Sequence, residues 1–143
     1  MAVVDLTTSK YAGNYGVAKA IRDEVVTLKR YIDSTVVPNG TVGLVSGDYY
    51  RLFYYPANTL LLHVRAITGT VEGTGDTIDL TDDETGTTVM VSNHDVNTAN
   101  ALTESSAGKF KASSGYVCVR PDNAITVAKF WVEAQYVTLL TTD

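Results

Sequence analysis

Apolar residues follow two different patterns on either side of residue 40. From residue 14 to residue 33 they recur at spacings of three and four, the pattern of an α-helix with one apolar face. The positions are Ala18, Ile21, Val25, Leu28 and Ile32. We therefore predict an extended arm over residues 1–13, followed by one amphipathic α-helix that ends before the turn Pro38-Asn39-Gly40.

Beyond residue 40 the sequence has the character of short strands separated by turn residues. Gly47-Asp48 predicts a hairpin between strands 41–46 and 49–55. Alternation along strand 59–68 places Leu60, Leu62, Val64 and Ala66 on one face. Further strands are predicted at 77–80, 87–91, 109–111, 115–120 and 125–140. In the last of these, only the face that carries Phe130, Val132, Ala134 and Tyr136 is apolar throughout.

The predicted fold is mainly β: an antiparallel β-sandwich or jelly-roll-like domain over residues 41–143, preceded by the arm and α-helix of residues 1–40. Twenty threonines, nineteen valines and nine tyrosines agree with this prediction, because β-branched and aromatic side chains favour sheets. One cysteine excludes an internal disulfide. No signal peptide is recognised at the N-terminus, and no apolar run approaches the roughly 18 residues of a membrane span.

Charge is distributed unevenly along the chain. The net charge is −5, of which residues 1–40 contribute +1 (five bases, four acids), so the remainder carries −6. No basic patch with interleaved aromatic residues is present, so neither nucleic acid nor membrane is predicted as a partner.

Three groups of residues are candidates for a metal-binding or catalytic site. Asp79, Asp82, Asp83 and Glu84 are either calcium ligands or a solvated turn, and their spacing does not match an EF-hand. His63 and His94 lie in separate segments without the spacing of a metal site. Cys118 lies between valines and is expected to be a small buried residue, not a nucleophile. The sequence therefore predicts no enzyme, no catalytic or metal site and no cofactor, and leaves calcium binding open.

The aromatic cluster in strand 49–55 has three interpretations. Its members are Tyr49, Tyr50, Phe53, Tyr54 and Tyr55, and they fall on both faces of the strand. They could form a core, a subunit interface or a platform for stacking sugars. The predicted helix has two interpretations: it either packs on its own sandwich or projects towards another protein.

In composition and in the order of its strands and turns, the segment 59–138 resembles small jelly-roll or β-sandwich structural proteins of tailed-phage particles. The strand LLLHVRAIT (60–68), the segment TIDLTDDETGTT (77–88) and the final hairpin GYVCVRPDNAITVAKFWVEAQYV (115–137) carry the resemblance. It implies a virion protein without catalytic residues, made in the host cytoplasm, most like a decoration or cement protein on the outer head surface. Its implied partners are the major capsid protein and itself, as a homo-oligomer that is most often a trimer.

On this hypothesis the arm, the helix and the tyrosine cluster supply the contacts. The candidate interface residues are Val3, Val4, Leu6, Tyr11, Tyr15, Ile21, Val25, Leu28, Ile32, Tyr50 and Tyr54. We expect a chain without residues 1–33 to fold and to lose capsid binding. The alternatives are a head-fibre, collar or tail component, or a carbohydrate-binding module of a receptor-binding protein that uses Tyr50 and Tyr54.

Overall fold

Ten β-strands make up most of the structure, a computed structural model that describes residues 2–6, 25–37, 43–73, 75–84, 89–105 and 108–139. The strands are β1 (Val3–Asp5), β2 (Val26–Asp33), β3 (Tyr49–Tyr55), β4 (Thr59–Thr70), β5 (Thr77–Thr81), β6 (Val89–Asp95), β7 (Leu102–Glu104), β8 (Lys109–Lys111), β9 (Gly115–Pro121) and β10 (Lys129–Thr138). A short 3-10 turn, Ser34–Val36, follows β2. Within the described residues no helix is long and apolar enough to cross a membrane.

The strands form two five-stranded sheets. Sheet A has the order β1-β3-β9-β5-β6, and sheet B has the order β2-β10-β4-β7, with β8 also paired to β4. Strand β1 pairs with β3 in parallel, and the other described pairs are antiparallel. The prediction of a mainly β, antiparallel fold is confirmed.

One apolar core lies between the sheets and draws on both. Sheet A contributes residues such as Tyr50, Leu52, Ile78, Leu80 and Val119, and sheet B contributes Ile32, Leu61, Val64, Phe130 and Val132. Burial of these side chains from both sides holds the two layers together in the manner of a β-sandwich. Their alternation along each strand leaves the other face of each sheet for solvent or partners.

The predicted α-helix is wrong where the structure describes it, because Val26–Asp33 is strand β2, paired along its length with β10. Leu28 and Ile32 are four residues apart, a spacing that fits one face of a helix and one face of a strand equally well. The inward position between them is Arg30, whose Nε donates to the carbonyl of Leu52 at 3.0 Å. Because the inward residue Arg30 is charged, the alternation of apolar and polar residues that is typical of a strand is not apparent in the sequence of β2. Residues 14–24 of the predicted helix lie outside the described residues.

The strand and hairpin predictions need three further corrections. Instead of a hairpin partner for β3, the described residues 43–46 hold one bridge, Leu44 to Ile125, in which each backbone N–H donates to the other's carbonyl. Strand β7, in a segment read as polar loop, was not predicted. In β4, Leu61 is buried instead of Leu60 and Leu62, because a shift in register opposite Gln135 and Tyr136 changes the phase of alternation.

Candidate assembly surface

The outer face of sheet B brings together side chains from four strands that are far apart in sequence. The register pairs Trp131 of β10 with Tyr31 of β2 and Ile67 of β4, and Ile67 with Leu102 of β7. We call these four residues the apolar row: Tyr31, Trp131, Ile67 and Leu102. It crosses the sheet at right angles to the strands.

Two members of the apolar row are unusually exposed for large apolar side chains. Trp131 is 45% exposed and Leu102 is 53% exposed. The Tyr31 and Trp131 rings touch, with their centroids 4.8 Å apart and their planes tilted by 43°. The Trp131 ring lies against Gly69, where a Cβ atom would stand 2.6 Å from a ring carbon. Because Gly69 has no side chain, the Trp131 ring can pack directly against the sheet at this position.

A second row, of charged residues, lies directly beside the apolar row. The register pairs Glu133 with Lys29 and Arg65, and Arg65 with Glu104. We call these the charged row: Lys29, Glu133, Arg65 and Glu104. The charges alternate in sign from β2 to β7, and neighbouring members form ion pairs at 3.6 Å, 2.8 Å and 3.3 Å.

Glu133 is the centre of the charged row. It is only 7% exposed although it faces outward, because the cations on both sides cover it. Hydrogen bonds to Glu133 and then Glu104 raise the pKa of Arg65 above its ordinary value. His63 Nε2 also lies 3.8 Å from Glu133 Oε1. Neighbouring members of the row are thus paired with each other, and the row remains accessible at its ends, where the Lys29 side chain is 69% exposed and that of Glu104 is 51% exposed.

The predicted interface residues are dispersed by the fold. Leu6, Ile32 and Tyr50 are buried in the core, and Val4 and Leu28 pack against it. Val3, Val25 and Tyr54 are exposed. Tyr11, Tyr15 and Ile21 lie outside the described residues. The structure therefore does not collect the described members of the predicted set into one surface.

The tyrosine cluster serves mainly as core, with one exposed exception. The Tyr50 hydroxyl accepts a hydrogen bond from the Val45 amide at 2.7 Å, and the Tyr55 hydroxyl donates to the Asp82 carbonyl at 2.6 Å. Tyr54 is 51% exposed and meets the edge of the Tyr116 ring, with centroids 5.6 Å apart. The Arg51 guanidinium lies 4.4 Å from the Tyr116 ring centroid.

The acidic segment disperses its carboxylates among different cations. Asp79 accepts from the Asn93 amide at 2.8 Å and lies 4.0 Å from Arg120. Asp82 is buried against Lys111 at 3.0 Å, and Glu84 pairs with Arg51. In the part of the chain that the structure describes, no three His, Cys, Asp or Glu side chains are grouped to hold a metal ion. These contacts tie strands together.

His94 and Cys118, the remaining candidates for a metal-binding or catalytic role, are both fully buried. The ring nitrogens of His94 lie 2.8 Å from Thr68 Oγ1 and 2.8 Å from Thr103 Oγ1, so the ring links β6 of sheet A to two strands of sheet B. Burial, followed by the nearby Glu84 carboxylate, raises the pKa of the Cys118 thiol to about 12. A thiol in that state is a poor nucleophile at neutral pH.

Sequence reasoning missed the two rows on sheet B. The alternation of β10 already placed Trp131 and Glu133 on the outward face, and an outward tryptophan is a signal for a binding surface. The rows themselves depend on the register between strands, which one sequence does not reveal. The fold is thus a β-sandwich, and the outer face of sheet B carries a row of apolar and aromatic side chains beside a row of charged ones. Protein interfaces have a composition of this kind.

Chains in solved phage capsids share this fold. A chain in the capsid of Ralstonia phage GP4 is 15% identical with a TM-score of 0.64, and the match covers 98% of this chain and 100% of that chain. A chain in the acid-stable capsid of Helicobacter pylori bacteriophage KHP30 is 13% identical with a TM-score of 0.60, covering 81% and 89%. A chain in the capsid asymmetric unit of cyanophage Pam1 is 16% identical with a TM-score of 0.57, covering 92% and 97%.

The resemblance to tailed-phage β-sandwich proteins is thus confirmed at the level of the fold. No protein-family model matches the chain, and no curated protein matches it by sequence.

Proposed function

We propose that the protein is a structural component of a phage head, a decoration or cement subunit that binds the outer surface and bridges capsomers. The observation that carries this proposal is the whole-chain match to a capsid chain of similar length, 98% of one and 100% of the other. The neighbour is thus a single small subunit found in a capsid. We propose no catalytic activity.

The acidic balance of the chain favours the outside of the head over a site that faces packaged nucleic acid. The chain has a net charge of −5 and a pI of about 4.9. A surface of this sign is repelled by phosphate and helps to keep particles apart in solution. It offers no support for a nucleic-acid partner.

Strand order supports a jelly-roll assignment within the β-sandwich. Apart from β1 and β8, the sheets read β3-β9-β5-β6 and β2-β10-β4-β7. The chain changes sheet at each step from β2 to β5, forms the β5–β6 hairpin in sheet A, and returns to sheet B with β7. Two interleaved four-stranded sheets with this connectivity are the arrangement of jelly rolls in viral capsid domains.

Partners of the proposed subunit are the major capsid protein and further copies of itself, with three copies expected at a local threefold position. Repeated modest contacts on a lattice would resist rupture through multivalency. Of the residues predicted from the sequence, the exposed Val3, Val25 and Tyr54 remain candidates for contact with the shell.

Electron microscopy of heads assembled with and without the protein tests the proposal. Purified, gold-labelled protein is added to heads that lack it, and we expect label over the whole head surface together with greater resistance of the particles to heating. Label at a single vertex would contradict the decoration role and favour a head fibre, collar or tail component. A lack of any bound label would overturn both.

Sugar binding is a second candidate because Tyr54 is half exposed beside Tyr116. Exposed aromatic rings of this kind can stack on a sugar face. Tyr50, the other tyrosine considered for this role, is fully buried and has no exposed ring to offer. A glycan array with wild-type and Tyr54→Ala protein tests this function: binding that disappears in the variant favours it, and a blank array rejects it.

A further inference from the structure

We propose that the outer face of sheet B binds the same face of a second copy of this chain, around a two-fold axis that runs between β10 and β4 and parallel to the strands. This inference goes beyond the proposed function and does not depend on it, because it concerns pairs of the isolated protein in solution, whereas the three copies proposed at a local threefold position meet on the particle. It rests on the order of residues in the charged row and the apolar row.

Charge order is the first argument. From β2 to β7 the charged row reads positive, negative, positive, negative: Lys29, Glu133, Arg65, Glu104. The proposed two-fold axis reverses this order in the second copy while keeping it at the same height along the strands. Lys29 then faces Glu104 of the second copy, and Glu133 faces Arg65. Each charge meets its opposite, so the row is complementary to itself.

The apolar row supplies the second argument, because the same axis superposes it on its own copy. Tyr31 then faces Leu102 of the second copy, and Trp131 faces Ile67. The contact would cover the exposed parts of Trp131 and Leu102, which are 45% and 53% accessible in the single chain. An aromatic centre beside alternating charges has the composition of protein interfaces.

A different two-fold axis does not give this match. An axis along the rows, at right angles to the strands, would leave the order unreversed and place Lys29 against Lys29 and Glu133 against Glu133. Like charges in contact across an interface oppose binding. The axis parallel to the strands also gives the aligned orientation in which twisted sheets ordinarily pack face to face.

A charge-swap experiment tests the proposed register. Lys29→Glu and Glu104→Lys each place like charges at both ends of the charged row of a homodimer. Sedimentation velocity should show a wild-type dimer and, for each variant alone, self-association weakened by about tenfold or more. In an equimolar mixture the two variants complement each other at both ends, so the dimer should return.

Recovery in the mixture separates the contact between copies from effects inside one chain. Each substitution also removes an ion pair of its own chain, Lys29 with Glu133 or Arg65 with Glu104, and mixing does not restore those pairs. Ser92→Lys is the matched control, since Ser92 is exposed on β6 of sheet A, and it should leave the dimer unchanged. Leu102→Ser, at an exposed position, should also give monomers without unfolding the chain.

Three outcomes would overturn the inference. They are a wild-type protein that stays monomeric at all concentrations tested, a mixture of the two charge variants that does not recover, and an oligomer that neither charge variant nor Leu102→Ser weakens. The first would leave the face to a different partner, and the third would place the contact elsewhere on the surface.

Discussion

Single polar side chains hold together loops that the apolar core does not reach. The Glu72 carboxylate, just after β4, accepts hydrogen bonds from the amides of Thr126, Val127 and Ala128 at 2.9 Å, 2.8 Å and 2.7 Å. It therefore fixes the loop that leads into β10. Burial alone would raise the pKa of Glu72, but the three amides together outweigh burial and lower it.

Glu72→Gln should destabilise the protein in a pH-dependent way. Since the native pKa is lowered, the carboxylate contributes fully above its ordinary pKa of 4.5, and the contribution is lost as the pH falls through the native value. We expect a loss of about 1–3 kcal/mol in the free energy of unfolding at pH 7, typical of hydrogen bonds to a charged group. Chemical denaturation at pH 7 and at pH 3 checks this, and an equal difference at both would contradict it.

His94 should make stability fall as the solution becomes mildly acidic. Burial lowers the pKa of its imidazole, and the nearby Asp95 opposes the shift. As the pH falls, the imidazole is therefore protonated in the unfolded chain before it is protonated in the native chain. Native stability is therefore complete above the ordinary pKa of 6.5 and declines below it. Melting temperatures at pH 7.5 and pH 5 should differ more in the wild type than in His94→Gln. An identical pH response in both proteins would exclude His94 as the cause.

At the scale of elements, strand β2 shows how one side chain joins the two layers. Arg30 reaches inward from sheet B, donates to the Leu52 carbonyl of β3 in sheet A, and has its guanidinium carbon 5.6 Å from the Phe53 ring centroid. The charged group thereby satisfies a buried carbonyl and covers an aromatic face. A lysine or leucine at this position would supply only part of that contact.

Arg30→Ala should therefore cost far more than a substitution elsewhere on the same strand. It leaves the Leu52 carbonyl without this donor and removes a buried side chain, which together should lower the free energy of unfolding by about 2–4 kcal/mol. Thr27→Ala, at an exposed position of β2, is the control and should change it by less than about 0.5 kcal/mol. Equal effects in urea denaturation would contradict the role assigned to Arg30.

Gly69→Ala should displace the tryptophan of β10. The new Cβ would stand 2.6 Å from Trp131 Cζ3, so the ring must move away from the sheet. Because Trp131 is the one tryptophan in the sequence, its fluorescence maximum reports on this change directly, and a shift is expected. Gly75→Ala is the control, because a Cβ there meets nothing within 4 Å. An unchanged spectrum in Gly69→Ala would show that the ring does not rest on this glycine.

The elements that the sequence predicted best are mostly those rich in apolar or aromatic residues. Tyr49–Tyr55 and the short strand Lys109–Lys111 were predicted with their observed bounds, and β4, β5, β9 and β10 within a few residues at their ends. Strand β7 was missed because its Leu102 is half exposed and its other residues are polar. Strand β2 was missed because Arg30 occupies an inward position. Both failures arise from contacts with distant strands, which local pattern does not contain.

At the scale of the whole molecule, the boundary expected near residue 40 does not separate β2 from the sandwich. Ile32 of β2 lies in the common core, and β2 pairs with β10. A chain cut at residue 33 would lose that strand and expose the apolar side of its neighbour. The candidate surface on sheet B would also lose Tyr31 and Lys29. Its prediction from sequence was out of reach because each row takes one residue from each of four separate strands.

Two truncations should behave differently for this reason. Removal of residues 1–24 takes away β1 and the buried Leu6 that follows it, and keeps β2 to β10, so we expect cooperative unfolding at a lower temperature. Removal of residues 1–33 should yield a chain that aggregates or lacks a cooperative transition, because an edge of the core is uncovered. Circular dichroism during heating distinguishes them. A cooperative transition in the shorter chain would show that β2 is dispensable.

The pairing of β2 with β10 also has a consequence for synthesis. Residues 34–128 lie between the two strands, so this ladder of sheet B cannot close until almost the last described residue has emerged from the ribosome. Chains whose contacts join such distant segments fold slowly, on the order of milliseconds to seconds. Until then β2 lacks its neighbouring strand of sheet B, and its edge and the apolar side chains of Leu28 and Ile32 are unprotected. The sandwich is therefore expected to complete its fold only after β10 has been synthesised, and not while the earlier strands emerge.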